Sequence, residues 1–174
     1  MSARRLLLLA VLVVAAGALV LLIDAPARRT GEEAVSGPRL VRIAAGSVER
    51  VVVVIGEHHA VAERVAGQWT AGGRPASAPF GEALDDFLRT LTSLRAVDRF
   101  RARDGASFGF EPSPRAIIEL GAPRKTIRIV LGELNGARSA VYARRDGDTH
   151  VWLVGLYLIS AMERVVYFAG VDAA

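Results

Sequence analysis

Every residue from 6 to 23 is apolar or glycine, and no other feature of the chain restricts its fold as much. At about 1.5 Å per residue, such a run with its flanks just crosses a hydrocarbon layer of about 30 Å. A soluble core helix of that length needs a polar face, and this segment has none. Arg4, Arg5 and the amino terminus precede it and Asp24 follows, so the positive-inside bias places residues 1–5 in the cytoplasm. Arg28 and Arg29 reduce that asymmetry. The alternative is a cleaved signal peptide, because Ala25-Pro26-Ala27 resembles a processing site. That triplet contains a proline and follows an acid, and the run exceeds the roughly 7–15 residues of a typical signal-peptide core. Both readings export the same domain.

We therefore read residues 6–23 as a retained, single-pass anchor in a bacterial inner (cytoplasmic) membrane, with the lipid bilayer as the first expected partner. Residues 24–39 read as a flexible tether, mixing prolines, glycines and charges of both signs without apolar periodicity. As a coil it would span on the order of 20–25 Å. Residues 40–174 then form one extracytoplasmic domain of ordinary size.

The chain has no cysteine, which excludes disulfides, thiolate metal sites, a thiol nucleophile and a lipid-modified cysteine. Its net charge is +4, carried almost wholly by arginine, since Lys125 is the only lysine. No nucleic-acid-binding motif accompanies the modest excess, and no nucleic-acid partner is expected.

Within the domain, residues 40–43 predict a short strand. Residues 51–55 are a β-branched run that predicts a strand buried on both faces. A turn through Gly56-Glu57-His58-His59, a return strand over 60–65, a second turn at Ala66-Gly67 and a strand at Gln68-Trp69-Thr70 complete a meander. After a Gly/Pro/Ser loop over 72–79, Phe80, Leu84, Phe87, Leu88, Leu91 and Leu94 recur at helical spacing, with the cap near Ser77 or Ala78 and Pro79 in the first turn. Residues 97–103 alternate, placing Arg99, Arg101 and Arg103 on one strand face and Phe100 and Ala102 on the other. Strands at 116–120 and 126–131 follow, joined by a turn at 121–124, and Gly132 opens another turn. A hairpin, 140–143 with 150–154, turns at Asp146-Gly147-Asp148, and a helix over 156–166 ends the pattern. Strands, helix, strands, helix indicate an α+β domain whose mainly antiparallel sheet is packed by two helices on one face.

Several segments resemble, in order, a bacterial family known as domain of unknown function 4340. Gln68-Trp69-Thr70 closes the first meander, and a Ser/Pro loop leads to a helix ending Leu91-Thr92-Ser93-Leu94. Phe108-Gly109-Phe110-Glu111-Pro112 resembles the family's aromatic-Gly-Leu-Asp-x-Pro element, with Phe110 in place of leucine. Ile129-Val130-Leu131-Gly132 resembles its strand-ending glycine, and Val141-Tyr142-Ala143-Arg144 its late tyrosine strand. The likeness runs over residues 40–168. It implies a membrane-anchored protein found beside gliding-motility-type ABC transporter auxiliary proteins, hence an envelope or ABC transporter protein as partner. The family has no established catalytic residue to carry over.

The residues themselves give little chemistry. His58 and His59 lack a third ligand at zinc spacing and read as a polar turn. Asp85 and Asp86 are adjacent on a helix and point about 100° apart, which does not make a facing catalytic pair; Asp85 reads as an i,i+4 partner of Arg89. No serine lies in a nucleophile motif, and no phosphate loop is present. Trp69 reads as a core aromatic, and Tyr167-Phe168 as a cover for the core. The expectation is a non-enzymatic accessory or scaffold domain with no cofactor, no metal and no catalytic residue. The alternative is a binding module for a small ligand or anionic glycan, with Arg99, Arg101 and Arg103 as contacts; the bland reading of the same stripe is a charged edge strand that discourages aggregation.

Overall fold

The computed structural model describes residues 37–102 and 106–173. The apolar run 6–23 lies outside the described residues, and among those described no helix is long and apolar enough to cross a membrane. Residues 36–174 form one compact unit.

The β-branched run becomes β1, Arg50–Ile55, and pairs antiparallel with β2, His58–Val65. The turn between them is only Gly56-Glu57, with Gly56 at φ +57°, so His58 and His59 belong to the strand. β3, Gln68–Ala71, continues the meander, and the glycines of the next loop close a further short strand, β4, Arg74–Pro75. Helix α1, Ala78–Ser93, starts where the capping pattern places it, with the Ser77 hydroxyl accepting the Phe80 N–H at 3.4 Å. β5, Asp98–Arg101, is followed after a loop by β6, Ala116–Ala122, and β7, Lys125–Leu134. β8, Ala140–Arg145, β9, His150–Gly155, and helix α2, Tyr157–Ala173, complete the chain. The nine strands form one antiparallel sheet in the order β4-β3-β2-β1-β6-β7-β8-β9-β5. The fold is α+β, one large antiparallel sheet and two helices.

The register explains which residues are buried. Val51 and Val53 of β1 stand opposite Ala62 and Ala60 of β2, and opposite Leu120 and Ile118 of β6, and all six are buried against the helices. Phe80, Leu84, Phe87, Leu88 and Leu91 of α1, with Leu158, Met162 and Val165 of α2, fill the other side of that core. Burial of so many large apolar groups is the main favourable contribution to folding.

Several expectations change. β1 is not buried on both faces: Val52 and Val54 are half-buried and face away from the helices, because the sheet carries helices on one side only. Residues 40–43 make no strand; the backbone makes one bridge, Arg39 with Arg95, and Leu40 and Val41 are both buried, which strand alternation does not allow. α2 runs seven residues past 166, and its last turn is tied down where Asp172 accepts the Ser77 backbone N–H at 2.9 Å. Tyr167 is 67% exposed and touches the Phe168 ring from outside the core, while Phe168 packs on the core.

The face opposite the helices is covered at one end only. There Phe110, Val130 and Val151 form a second small core with Phe100, Ala102, Phe108 and Tyr142. Over β2, β1 and β6 this face is open, with Val61 38% exposed and the Arg50–Glu63 and Arg128–Glu119 pairs crossing between strands.

Candidate functional site

The densest polar cluster in the described residues surrounds Asp148 at the β8–β9 turn. Asp148, His150 and Trp152 are two residues apart, and the side chains of His150 and Trp152 converge on the Asp148 carboxylate. One oxygen, Oδ1, accepts the His150 backbone N–H at 3.0 Å and lies 2.9 Å from His150 Nδ1. The other accepts Arg145 Nη2 at 2.8 Å and Trp152 Nε1 at 3.1 Å. Arg99 reaches in from β5, with Nη2 3.0 Å from His150 Nδ1 and 3.8 Å from Asp148 Oδ1. Its guanidinium carbon and that of Arg145 lie 4.6 and 5.0 Å from the Trp152 ring centroid, approaching from the strands on either side.

The Asp148 side chain is only 10% exposed. Desolvation raises its pKa, but hydrogen bonds from Arg145, His150 and Trp152 outweigh it and hold the carboxyl well below the usual carboxylate range. An ionised carboxylate only accepts, and each oxygen is already engaged by two donors. The cluster is therefore built to hold β5, β8 and β9 together. It has no free lone pair aimed outward to act as a base.

The arginine stripe resolves into three different situations. Arg99 is drawn into this cluster. Arg101 is exposed, and its side chain has no hydrogen-bond or ion-pair partner among the described residues. Arg103 lies outside the described residues. Of the histidines, His58 and His59 are exposed on β2 and His150 is in the Asp148 cluster; no group of three metal-ligating side chains occurs among the described residues.

A second cluster repeats the logic towards the other end of the sheet, on the same face. Trp69 is 7% exposed. Its Nε1 donates to Asp85 Oδ1 at 3.0 Å, and Arg64 Nη2 donates to the same oxygen at 2.9 Å while lying 4.3 Å from the ring centroid. Asp85 is thus not the partner of Arg89, which pairs with Asp86 at 2.8 Å. The reason is tertiary: α1 lays Asp85 over the meander, where two donors already wait. Arg64 Nε is buried without a partner, so Arg64 depends on that carboxylate. Asp85→Ala should cost about 1–2 kcal/mol, measured by denaturant unfolding followed through tryptophan fluorescence; an unchanged midpoint would show the contacts to be incidental.

Two clefts remain. The larger, about 580 Å³, lies between β2, β3, β4 and the last turn of α2 and includes His59, Arg74, Ser77 and Asp172; Asp172 is already committed to the Ser77 N–H. The other, about 460 Å³, is bounded by Gly56, Gly109, Glu111, Arg115 and Glu133, and its Glu111 pairs with Arg144 at 3.3 Å.

That second cleft lies where two family-like elements meet. A Cβ on Gly132 would overlap the Phe108 carbonyl oxygen, and one on Gly109, at φ +72°, would overlap the Glu133 side chain. The aromatic-glycine loop and the glycine of β7 are one packing device, in which two backbones touch because neither has a side chain at the contact. Gly132 does not end its strand, which continues through a register shift to Leu134.

The Asp148 hub was missed from the sequence, where Asp146-Gly147-Asp148 read only as a turn. The available signal was alternation: Asp148, His150 and Trp152 at i, i+2 and i+4 share a strand-like period.

Residues 80–165 match the family model described as Domain of unknown function (DUF4340). No curated protein and no solved structure matches the chain.

Proposed function

Given that the chain belongs, through residues 80–165, to the domain of unknown function 4340 family, we propose that it is a membrane-anchored, non-enzymatic accessory or scaffold domain of a bacterial envelope complex of the ABC-transporter-associated kind. Residues 6–23 are its anchor, and the α+β domain works on the extracytoplasmic side.

The observation that carries this reading is how the domain receives the chain from its amino-terminal side. Gly37–Leu40 is laid along the end of α1: Ala96 N–H donates to Pro38 O at 3.0 Å, Leu40 N–H to Leu94 O at 3.2 Å, and Arg95 Nη1 to Gly37 O at 3.1 Å. A side chain at Gly37 would overlap the Ala96 carbonyl. Three of the tether's assigned residues, 37–39, are thus pinned to the body. A domain fixed at its point of attachment is suited to presenting one surface to a neighbour. The two densest polar clusters, at Asp148 and Asp85, support the non-enzymatic part, because their carboxylates are engaged within the fold.

The test is fractionation and gentle solubilisation of the tagged full chain. Resistance to carbonate extraction, protection of residues 1–5 and outside accessibility of the carboxyl terminus are expected. So is co-migration with defined transporter or envelope subunits on size exclusion. A chain released by carbonate, or recovered as a lone monomer, would refute the anchored-accessory reading.

A further inference from the structure

We infer that the arginine-bearing edge of the domain, around the point where the chain joins it, is a docking surface for the phosphate headgroups of anionic phospholipids. This rests on the reading of residues 6–23 as a membrane anchor.

The surface is continuous. Arg95 holds Gly37 and bridges Arg39 through the backbone. Arg145 reaches Leu40 O at 3.4 Å and Asp148 at 2.8 Å, and Asp148 leads through His150 and Arg99 to the free edge of β5. Arg39, Arg95, Arg99 and Arg101 are exposed residues of this edge, and Arg42, also exposed, follows two residues after Leu40, which Arg145 holds there. The acids among them do not cancel the charge. Asp98 and Asp146 are exposed carboxylates, and Asp148 is paired with Arg99 and Arg145, so three acids stand against the six arginines Arg39, Arg42, Arg95, Arg99, Arg101 and Arg145 and the balance stays positive. Arg42 and Arg101 have no side-chain partner among the described residues.

Position selects the occupant. Residues 24–36 separate the apolar run from Gly37, so chain length alone keeps Gly37 within about 45 Å of the end of that run. The chain enters the domain at this edge, so that limit on chain length applies here directly and to the β4 edge only with the width of the sheet added. Surface fields fade within about 8–10 Å, so attraction becomes effective only for groups that the tether brings that close. Guanidinium groups bind phosphate oxygens in a bidentate fork, which an ammonium does not, and Lys125 is the only lysine among 22 basic residues. Each arginine near an anionic surface shifts the equilibrium roughly fivefold.

The absence of native cysteine makes the test direct. The full chain, carrying one fluorophore at Val97→Cys on this edge or at Arg74→Cys on the opposite edge, is placed in lipid nanodiscs. The discs are phosphatidylcholine alone or mixed with phosphatidylglycerol, and both contain a headgroup-nitroxide quencher. We expect strong quenching at position 97 only in the anionic discs, none at position 74, and loss of the effect in high salt. The pair Arg42→Glu and Arg101→Glu should lower the docked-to-free ratio more than tenfold, at roughly fivefold or more for each change. Equal quenching in the two lipids, or quenching indifferent to the reversals, overturns the inference. So does an unquenched wild type whose reversals abolish only a protein complex, since the edge then serves an acidic protein. Retention on neutral discs reports on the anchor separately. A chain that leaves neutral discs but docks to anionic ones through these arginines loses the anchor and keeps the headgroup surface; a chain retained by neither loses both.

Discussion

Asp148→Asn should lower the unfolding free energy at pH 7 by about 2–4 kcal/mol, although it only replaces one oxygen by an NH₂ group and leaves the volume almost unchanged. The carboxylate presents two acceptor oxygens, each serving two donors. The His150 backbone and ring approach Oδ1, and Arg145 and Trp152 approach Oδ2. An amide keeps one acceptor and turns the other into a donor, so one pair of donors faces an N–H₂ group. Arg145 and Arg99 also lose their counter-charge in a site where the aspartate side chain is only 10% exposed.

The pH dependence follows from the same contacts. The folded pKa of Asp148 is depressed well below its ordinary value of 3.8, so the native state binds this proton less readily than the unfolded chain. The stability it confers is fully present above about pH 4 and declines as pH falls towards the folded value. The wild-type protein should therefore lose stability below about pH 4, while Asp148→Asn, lacking that contribution at every pH, should change less. Urea unfolding of both proteins at pH 7 and pH 3 decides it. A gap that stays constant between the two pH values would mean that the loss comes from packing and not from the charge.

The contrast between what could and could not be read from the sequence follows the range of the forces involved. α1 was legible because its capping serine, its proline and its apolar spacing all act within a few residues. The meander and the Asp146-Gly147-Asp148 hairpin were legible for the same reason. What failed was tertiary. Residues 40–43 look like a strand, but they pair with no strand, and the adjacent Leu40 and Val41 are both taken into the core. Asp85 sits at the right spacing for Arg89, yet a tryptophan N–H and Arg64 on β2 and β3 bind it more firmly than a solvated helix pair can. Arg99 looked like one third of a free stripe, because nothing local shows that Trp152 and His150 stand opposite Arg99 and Arg101 across the sheet. The two tryptophans are held in the same way, each with a carboxylate on Nε1 and arginine over the ring. That pattern requires knowing which strands are neighbours.

Gly132→Ala should be the most damaging single methyl group that can be added to β7, with an expected cost of about 3 kcal/mol. The new Cβ would overlap the Phe108 carbonyl oxygen and come within 3.0 and 3.1 Å of the Phe108 and Gly109 carbonyl carbons. These are backbone atoms, so no rotamer change relieves the contact; the loop must lift. Phe108 is the hub of the small aromatic cluster, 4.9 Å from Tyr142, 5.6 Å from Phe100 and 6.2 Å from Phe110 between ring centroids, and lifting it uncovers Val130 and Val151. The damage should be local, because the main core between sheet and helices lies on the other face. Amide exchange should accelerate over residues 106–114 and β5 while α1 and α2 stay protected. Gly136→Ala is the matching control: a Cβ there meets nothing within 4 Å, and the change should stay within about 0.5 kcal/mol. If the two variants unfold alike, the touching backbones are not what holds the aromatic loop, and the glycine shared with the family element at β7 needs another explanation.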